Sequence, residues 1–497
     1  MKDLTGFSSV RTLRTARAVQ AWFTWKAICA DLPRKLAKSP SPELESPRRI
    51  CSRRSLSAKK PDTNSDAACR CGSLRLNRLR AFADPAESFP THSGRLHPED
   101  LTLGLPETMP VTINSGESEW SLLLAACSLS SSRSDSSQEI IRQSLRKPLS
   151  WASLLQLAEH HGVVPILYQA LASLGGEVPP ASLALLKQRY ETNLHRTLSL
   201  ARELVRILDH FDSLAIDVMP YKGVALSETL YGDIALRQAG DIDLLVRSRD
   251  LSRIKAALKE VGYSPHLLLN ETEERDYLAS GYECAFDSAL GRNLLEVQWA
   301  LQPRFYAVDF DMEALFCRAI TVSVAGRNMK TPSPEDLFLI LSLHAAKHVW
   351  GRLIWFCDIA QLLKSSALNW DSIGRTAQSL GIVRILQVTL VLTNRLLRTA
   401  APAAAEKTLS ADPAALGLAD EIGLQIGRAT PHNVESLSYF RLMMRLRERR
   451  ADRIRFLQRL AFTPGPGEWK SVRLPAPLFP LYRLVRLWRL AARLAKT

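Results

Sequence analysis

Along residues 117–214 apolar side chains return every third or fourth position. The stretches "EWSLLLAACSL", "SWASLLQLAEHHGVVPILYQALASLG" and "PASLALLKQRYETNLHRTLSLARELVRILDHFDSL" carry this rhythm, and Gly175-Gly176 and Pro179-Pro180 punctuate it. That period predicts amphipathic helices broken at the glycine and proline pairs. From about 215 to 330 the pattern changes to short apolar runs between turn residues. "AIDVMPYKG", "DIDLLV", "YECAFDSA" and "NLLEVQWAL" read as strands, while "ALSETLYG" and "DLSRIKAALKEVGY" read as helices. "TPSPEDLFLILSLHAAKHVW" then opens a helix: Ser333 can cap it, Pro334 suits its first turn, and Glu335 and Asp336 sit at its positive end. The remainder to Thr497 reads as helices. The expected organisation is a helical region over 113–214, a mixed core over 215–330 and a C-terminal helical region over 331–497, an α+β chain.

Residues 1–112 differ. They are rich in Arg, Ser and Pro, with little periodicity beyond a candidate helix in "ARAVQAWFTWKAI", and are expected to be a largely disordered basic segment. A targeting sequence, a nucleic-acid-binding tail or an upstream extension of the reading frame, with Met109 as the true start, all fit this composition. The whole chain of 497 residues carries a formal charge of +15, which favours polyanionic partners without choosing among nucleotides, nucleic acid and an anionic membrane. Eight cysteines without a Cys-x-x-Cys pair read as reduced thiols. No run of about 18 apolar residues suggests a membrane span, and no signal-peptide core follows the N-terminal charges. A cytoplasmic protein is expected.

"LRQAGDIDLLV" places Asp241 and Asp243 two positions apart in an apolar run. On a strand they project to one side, about 6 to 7 Å apart, with Ile242 and Leu244 on the other. Two such carboxylates repel each other and are costly to bury unpaired. A divalent cation with hard oxygen ligands, Mg²⁺ or Mn²⁺, resolves that conflict and commonly shares its sphere with substrate phosphates. The plainer alternative is a solvated turn at Gly240-Asp241.

The wider stretch "YKGVALSETLYGDIALRQAGDIDLLV" resembles the nucleotidyltransferase superfamily that includes DNA polymerase β, and within it the bacterial group called uncharacterised nucleotidyltransferases. Lys222-Gly223, "LYGD" at 230–233, Arg237 and the Gly240-Asp241-Ile242-Asp243 core carry the likeness, with "LLEVQW" at 294–299 and "LHAAKHVWGRLIWFCDIAQLL" at 343–363 as further parts. It spans roughly 150 to 400. The resemblance implies a polymerase β-like core of a small mixed sheet with helices, and a third carboxylate from a neighbouring strand, here Glu296. Asp241, Asp243 and Glu296 would be catalytic residues and metal ligands, and a nucleoside triphosphate the substrate. Gly223 would open a loop beneath the triphosphate, where backbone N–H groups meet phosphate. Lys222 and Arg237 would neutralise it, with ordinary salt bridges as their alternative. The chain departs from the group's pattern at Val224, where Gly or Ser is common, and at Gln298, where His is common. Ser227, one turn on, is a substitute phosphate contact.

His344, Lys347 and His348 share a helical face. Lys347 is a nucleotide-binding candidate, and polar packing at a domain interface is the bland reading of the two histidines. Asp358 matches the group's pattern and is equally suited to pairing with a base from the core. At the end of the chain, "FPLYRLVRLWRLAARLAKT" sets Arg483, Arg486, Arg489 and Arg493 on one face and Leu481, Leu484 and Trp488 on another. This helix can lie on an anionic membrane or on RNA, or pack its apolar face on the protein with the arginines outside. Walker-type, His-Glu-x-x-His and Gly-x-Ser-x-Gly motifs are absent from the sequence. The expected function is transfer of a nucleoside monophosphate to the hydroxyl of an unidentified small molecule, protein or RNA. The alternative is a catalytically silent nucleotide-binding or scaffold protein of the same fold.

Overall fold

A computed structural model describes residues 116–131, 135–289, 291–409, 412–427 and 436–494. The expectations for residues 1–112, including Met109 as a start, lie outside the described residues. Among the described residues five helices come first: α1 (Glu117–Ser131), α2 (Asp135–Leu145), α3 (Trp151–His161), α4 (Val164–Ala172) and α5 (Pro180–Ser213). Local chemistry marks their ends. Ser150 caps α3 by accepting from the Ser153 N–H, and Gly162 ends it in the left-handed conformation. Pro165 lies in the first turn of α4, and Pro180 opens the 34 residues of α5.

The core follows as β1 (Val218–Pro220), α6 (Val224–Tyr231), β2 (Ile242–Val246), α7 (Leu251–Glu260), β3 (Ser264–Pro265), α8 (Glu271–Ser280), β4 (Glu283–Ser288) and β5 (Gly291–Gln298). Its sheet runs β1-β2-β5-β4-β3. β2 and β5 are parallel at the centre, and the other neighbours are antiparallel. After α9 (Met312–Cys317), β6 (Ile320–Val324) and β7 (Arg327–Thr331) form a separate hairpin. Its two-residue turn is Ala325-Gly326, both at positive φ, the form that matches the twist of the paired strands. Periodicity foresaw β1, β2, β4 and β5. It missed the hairpin, whose strands are short and largely exposed, as well as β3 and α8.

The remaining helices are α10 (Pro334–Lys347), α11 (Leu353–Ser365), α12 (Trp370–Leu380), α13 (Val383–Leu397), α14 (Ala403–Thr408), α15 (Pro413–Ile426), α16 (Leu437–Arg445), α17 (Arg450–Phe462), α18 (Pro466–Ser471) and α19 (Tyr482–Leu494). Ser333 caps α10 by accepting from Asp336 N–H, with Pro334 in the first turn. Two cores result. One is helical and joins α1, α3 and α4 to α10–α13 and α15, so the segments on either side of the sheet domain share a single apolar interior. The other lies between the sheet, the second half of α5 and α7, around Phe211, Ile254, Leu244 and Val297. Because α5 packs against α4 at one end and against the sheet at the other, it ties the cores together.

Candidate functional site

The strand expected to hold both aspartates begins one residue late. β2 starts at Ile242, and Asp241 stands in the bend before it. A close backbone approach explains the offset. Gly223, the residue before α6, has φ 55° and ψ −125°, and a Cβ there would meet the Asp241 carbonyl oxygen at 2.9 Å. The same corner is held from α5, where Arg196 Nη2 donates to the Gly240 carbonyl at 2.7 Å. All five residues of β2 are buried, as its apolar run suggested, since other elements cover both sides of a central strand.

The parallel ladder between β2 and β5 sets Asp243 directly opposite Glu296. Spacing singled out Asp243 and the family resemblance pointed to Glu296, and a strand register joins them. Asp243 is almost fully buried and Glu296 half-buried. Gln298, two residues beyond Glu296 and therefore on the same face, places its amide between the two acids. Its Nε2 donates to Asp243 Oδ1 at 3.2 Å and to Glu296 Oε2 at 3.1 Å. Its Oε1 accepts from the Tyr221 hydroxyl at 2.6 Å. Lys222, at the end of β1, reaches Asp243 Oδ1 at 3.2 Å and lies 4.7 Å from the centre of the Tyr221 ring.

This cluster holds more negative charge than its cations balance. Burial, followed by the charge of Asp243, pushes the Glu296 carboxyl up to about 8. Burial and then Asp243 lift Asp241 to about 6 against the opposing pull of Lys222, Arg237 and Arg196. Lys222 is the reverse case: burial works against its charge, but Asp243, Tyr221 and Glu296 outweigh burial and hold the ammonium well above its usual range.

Three carboxylates, under-neutralised and partly desolvated, offer the hard oxygen donors and charge demand that suit Mg²⁺ or Mn²⁺. Their chemistry fits such an ion. Their side chains are not drawn together as a ready cage: among the described residues no group of three or more His, Cys, Asp or Glu is gathered to hold a metal. Instead, Asp243 Oδ1 is shared by Lys222 and Gln298.

The other sequence candidates fall into two groups. Lys347, at the end of α10, borders the cluster. Its Nζ donates to the Tyr282 hydroxyl at 2.6 Å, and that hydroxyl donates to the Glu283 carboxylate. Burial lowers the Lys347 ammonium below its usual range. His344 and His348 stack around Trp355, with ring centres 4.8 to 5.5 Å apart. Burial first, then the cations Lys222 and Lys347 among other neighbours, keeps both imidazoles neutral; His348 falls to about 3.

Arg237 and Ser227 are engaged elsewhere. Arg237 Nε and Nη2 grip the fully buried Asp358 carboxylate at 2.9 and 3.0 Å, and the Tyr231 hydroxyl adds a third bond at 2.8 Å. This buried fork ties the loop before β2 to α11. Ser227 is fully buried and donates to the Gly223 carbonyl at 3.1 Å. In these positions both side chains shape the site without facing it. Sequence reading passed over Tyr221, and it met Gln298 only as a departure. Gln298's place two residues after Glu296 was the available signal, because strand residues at that spacing share a face.

A small mixed sheet with helices on both flanks, and acids in register across two central parallel strands, defines an α+β protein with an acidic site on its sheet. Residues 147–398, just over half of the chain, match the model of the family described as uncharacterised nucleotidyltransferase, and the chain belongs to that family. The match has nearly the bounds that the sequence motifs suggested. Among solved structures, the chain is similar to an antigenic nucleotidyltransferase-like protein from Paracoccidioides brasiliensis. Identity is 16% over 41% of this chain and 95% of that one, with a TM-score of 0.28, a likeness too loose to carry an argument. No curated protein matches.

Proposed function

We propose that this protein transfers a nucleoside monophosphate from a nucleoside triphosphate to an acceptor hydroxyl, in the manner of the polymerase β-like superfamily. The reading rests above all on the β2–β5 register, which sets Asp243 opposite Glu296 with Asp241 at the adjoining bend. Asp241, Asp243 and Glu296 would hold Mg²⁺ or Mn²⁺, which when bound supplies charge neutralisation at the phosphates. Lys222 stands ready to leave Asp243 for a phosphate oxygen, and Lys347 supplies a second cation at the rim. Gln298 keeps the two strand carboxylates in register through its amide. Glu296, held beside Asp243 by the Gln298 amide, is the carboxylate placed to take the acceptor's proton. The acceptor oxygen forms its bond to the α-phosphorus, its proton passes to Glu296, and the bond to pyrophosphate breaks. Arg237 acts at one remove, fixing the loop that carries Asp241 through its grip on Asp358.

A second reading is favoured by one observation: Asp243 is already satisfied by Lys222 and Gln298, as it would be in a nucleotide-binding protein without turnover. Incubating the full chain with each α-labelled triphosphate, Mg²⁺ or Mn²⁺ and a cell extract separates the two. Label moving to an extract component, and lost in Asp241→Asn and Asp243→Asn, is the expected outcome. Triphosphate that binds but labels no fraction establishes the silent reading instead.

A further inference from the structure

The C-terminal helix docks through only part of its apolar surface. On α19 the inward side combines Tyr482 and Val485, buried against Trp469 and Phe479, with two arginines. Arg486 and Arg489 reach Glu468, a buried residue of α18, at 3.4 and 2.6 Å, and Arg486 Nε also donates to the Leu460 carbonyl at the end of α17. The outward side carries apolar side chains beside Arg483: Leu484 is 57% exposed and Trp488 68%, with Leu487 next to them. The arginines therefore divide, Arg483 facing solvent as expected and Arg486 and Arg489 turned to Glu468, while leucines expected to face the protein are left outside. The neighbouring α17 buries Phe456 and Leu460 and likewise leaves Ile454, Leu457 and Phe462 exposed.

Both helices line a cavity of about 540 Å³, α17 through Phe462 and α19 through Arg483, with Arg304, Arg459 and Asp276 around it. Trp469 also lines it, its indole N–H buried without a hydrogen-bond partner.

Charge selects what covers this face. Residues 437–497 hold fifteen Lys or Arg against three Asp or Glu, so most of the chain's net charge of +15 resides there. α19 has no acid at all. A second copy would press like charge against like charge. RNA would call for bases stacked on a series of aromatic rings, whereas the exposed apolar side chains of α17 and α19 are mainly aliphatic, and Arg486 and Arg489 are engaged by Glu468. Exposed Leu and Trp amid arginines, without acids on the helix, suit the headgroup and upper acyl layer of a bilayer rich in anionic lipid. We propose that α17 and α19 form a docking face for anionic membranes, the protein lying on the surface, since among the described residues no helix is long and apolar enough to cross one. The inference stands apart from the nucleotidyl-transfer reading.

Sedimentation of the full chain with vesicles of phosphatidylcholine alone, or with about 30% phosphatidylserine, tests it. The wild type is expected to pellet with the anionic vesicles at least about tenfold more than with the neutral ones, and to be released at roughly 0.5 M salt. Leu484→Ser with Trp488→Ser is expected to cut anionic binding by about tenfold or more while leaving thermal melting unchanged, because both side chains are exposed. Arg483→Glu should weaken binding to anionic vesicles in particular. Equal pelleting of wild type and the double variant overturns the proposal. So does retention of labelled single-stranded RNA without vesicle binding, or a dimer that the double variant dissociates.

Discussion

Gly223 shows how one backbone position can assemble a site. Its φ and ψ lie where only glycine is comfortable, and the missing Cβ leaves room for the Asp241 carbonyl. The sequence marks this glycine, and the structure shows that what it admits is the chain's own Asp241 backbone. Gly223→Ala is expected to cost about 1 to 3 kcal/mol in a denaturant melt and to weaken triphosphate binding as well, because the acid-bearing bend must move to make room. Unchanged stability with unchanged binding would show that the bend does not depend on this contact. Gln298 carries the complementary lesson. A histidine there would bring a charge that varies with pH, whereas the amide donates one nitrogen to two carboxylates and accepts from Tyr221 without titrating.

Among the elements, what the sequence shows and what it hides divide along physical lines. β2 and β5 were legible because buried strands leave continuous apolar runs, and helices α3–α5 and α10 because their caps and periods are strong. The exposed β6–β7 hairpin was not, since short strands with mixed polarity leave no pattern. Asp241, Asp243 and Glu296 were legible by motif. The partners of Arg237 and Lys222 were not, because an arginine gripping Asp358 from 121 positions away looks in sequence like one awaiting a phosphate. Pairing between distant helices was equally hidden.

His161, at the end of α3, gives that last point a measurable form. It is fully buried, its Nδ1 accepts from the Leu353 N–H of α11, and its Nε2 has no partner. Burial, together with His160 and Arg352, lowers it to about 3. The unfolded chain binds a proton near pH 6.5 and the folded chain only near 3, so stability is full above 6.5 and falls as pH drops below it. In that window the wild type should lose about 1.4 kcal/mol per pH unit more than His161→Asn, which keeps an acceptor for Leu353 but does not titrate. Urea melts between pH 7 and 4 read the difference, and parallel curves would contradict it.

At the scale of the whole molecule, two cores joined by α5 place a small acidic site beside a larger helical body, and the basic C-terminal helices form a separate face. The helical body fixes the site through its deep contacts, Arg237 to Asp358 and Lys347 to Tyr282. A site anchored in this way suits chemistry that depends on positioning two reactants. The central claim concerns which phosphorus is attacked. The same triphosphate labelled at the α or at the γ position, supplied to wild type with Mg²⁺ and extract, reads this directly. Nucleotidyl transfer requires the α label to appear on the acceptor and the γ label in pyrophosphate, both abolished by Asp243→Asn. The γ label on an acceptor, or released as inorganic phosphate without pyrophosphate, would contradict the account.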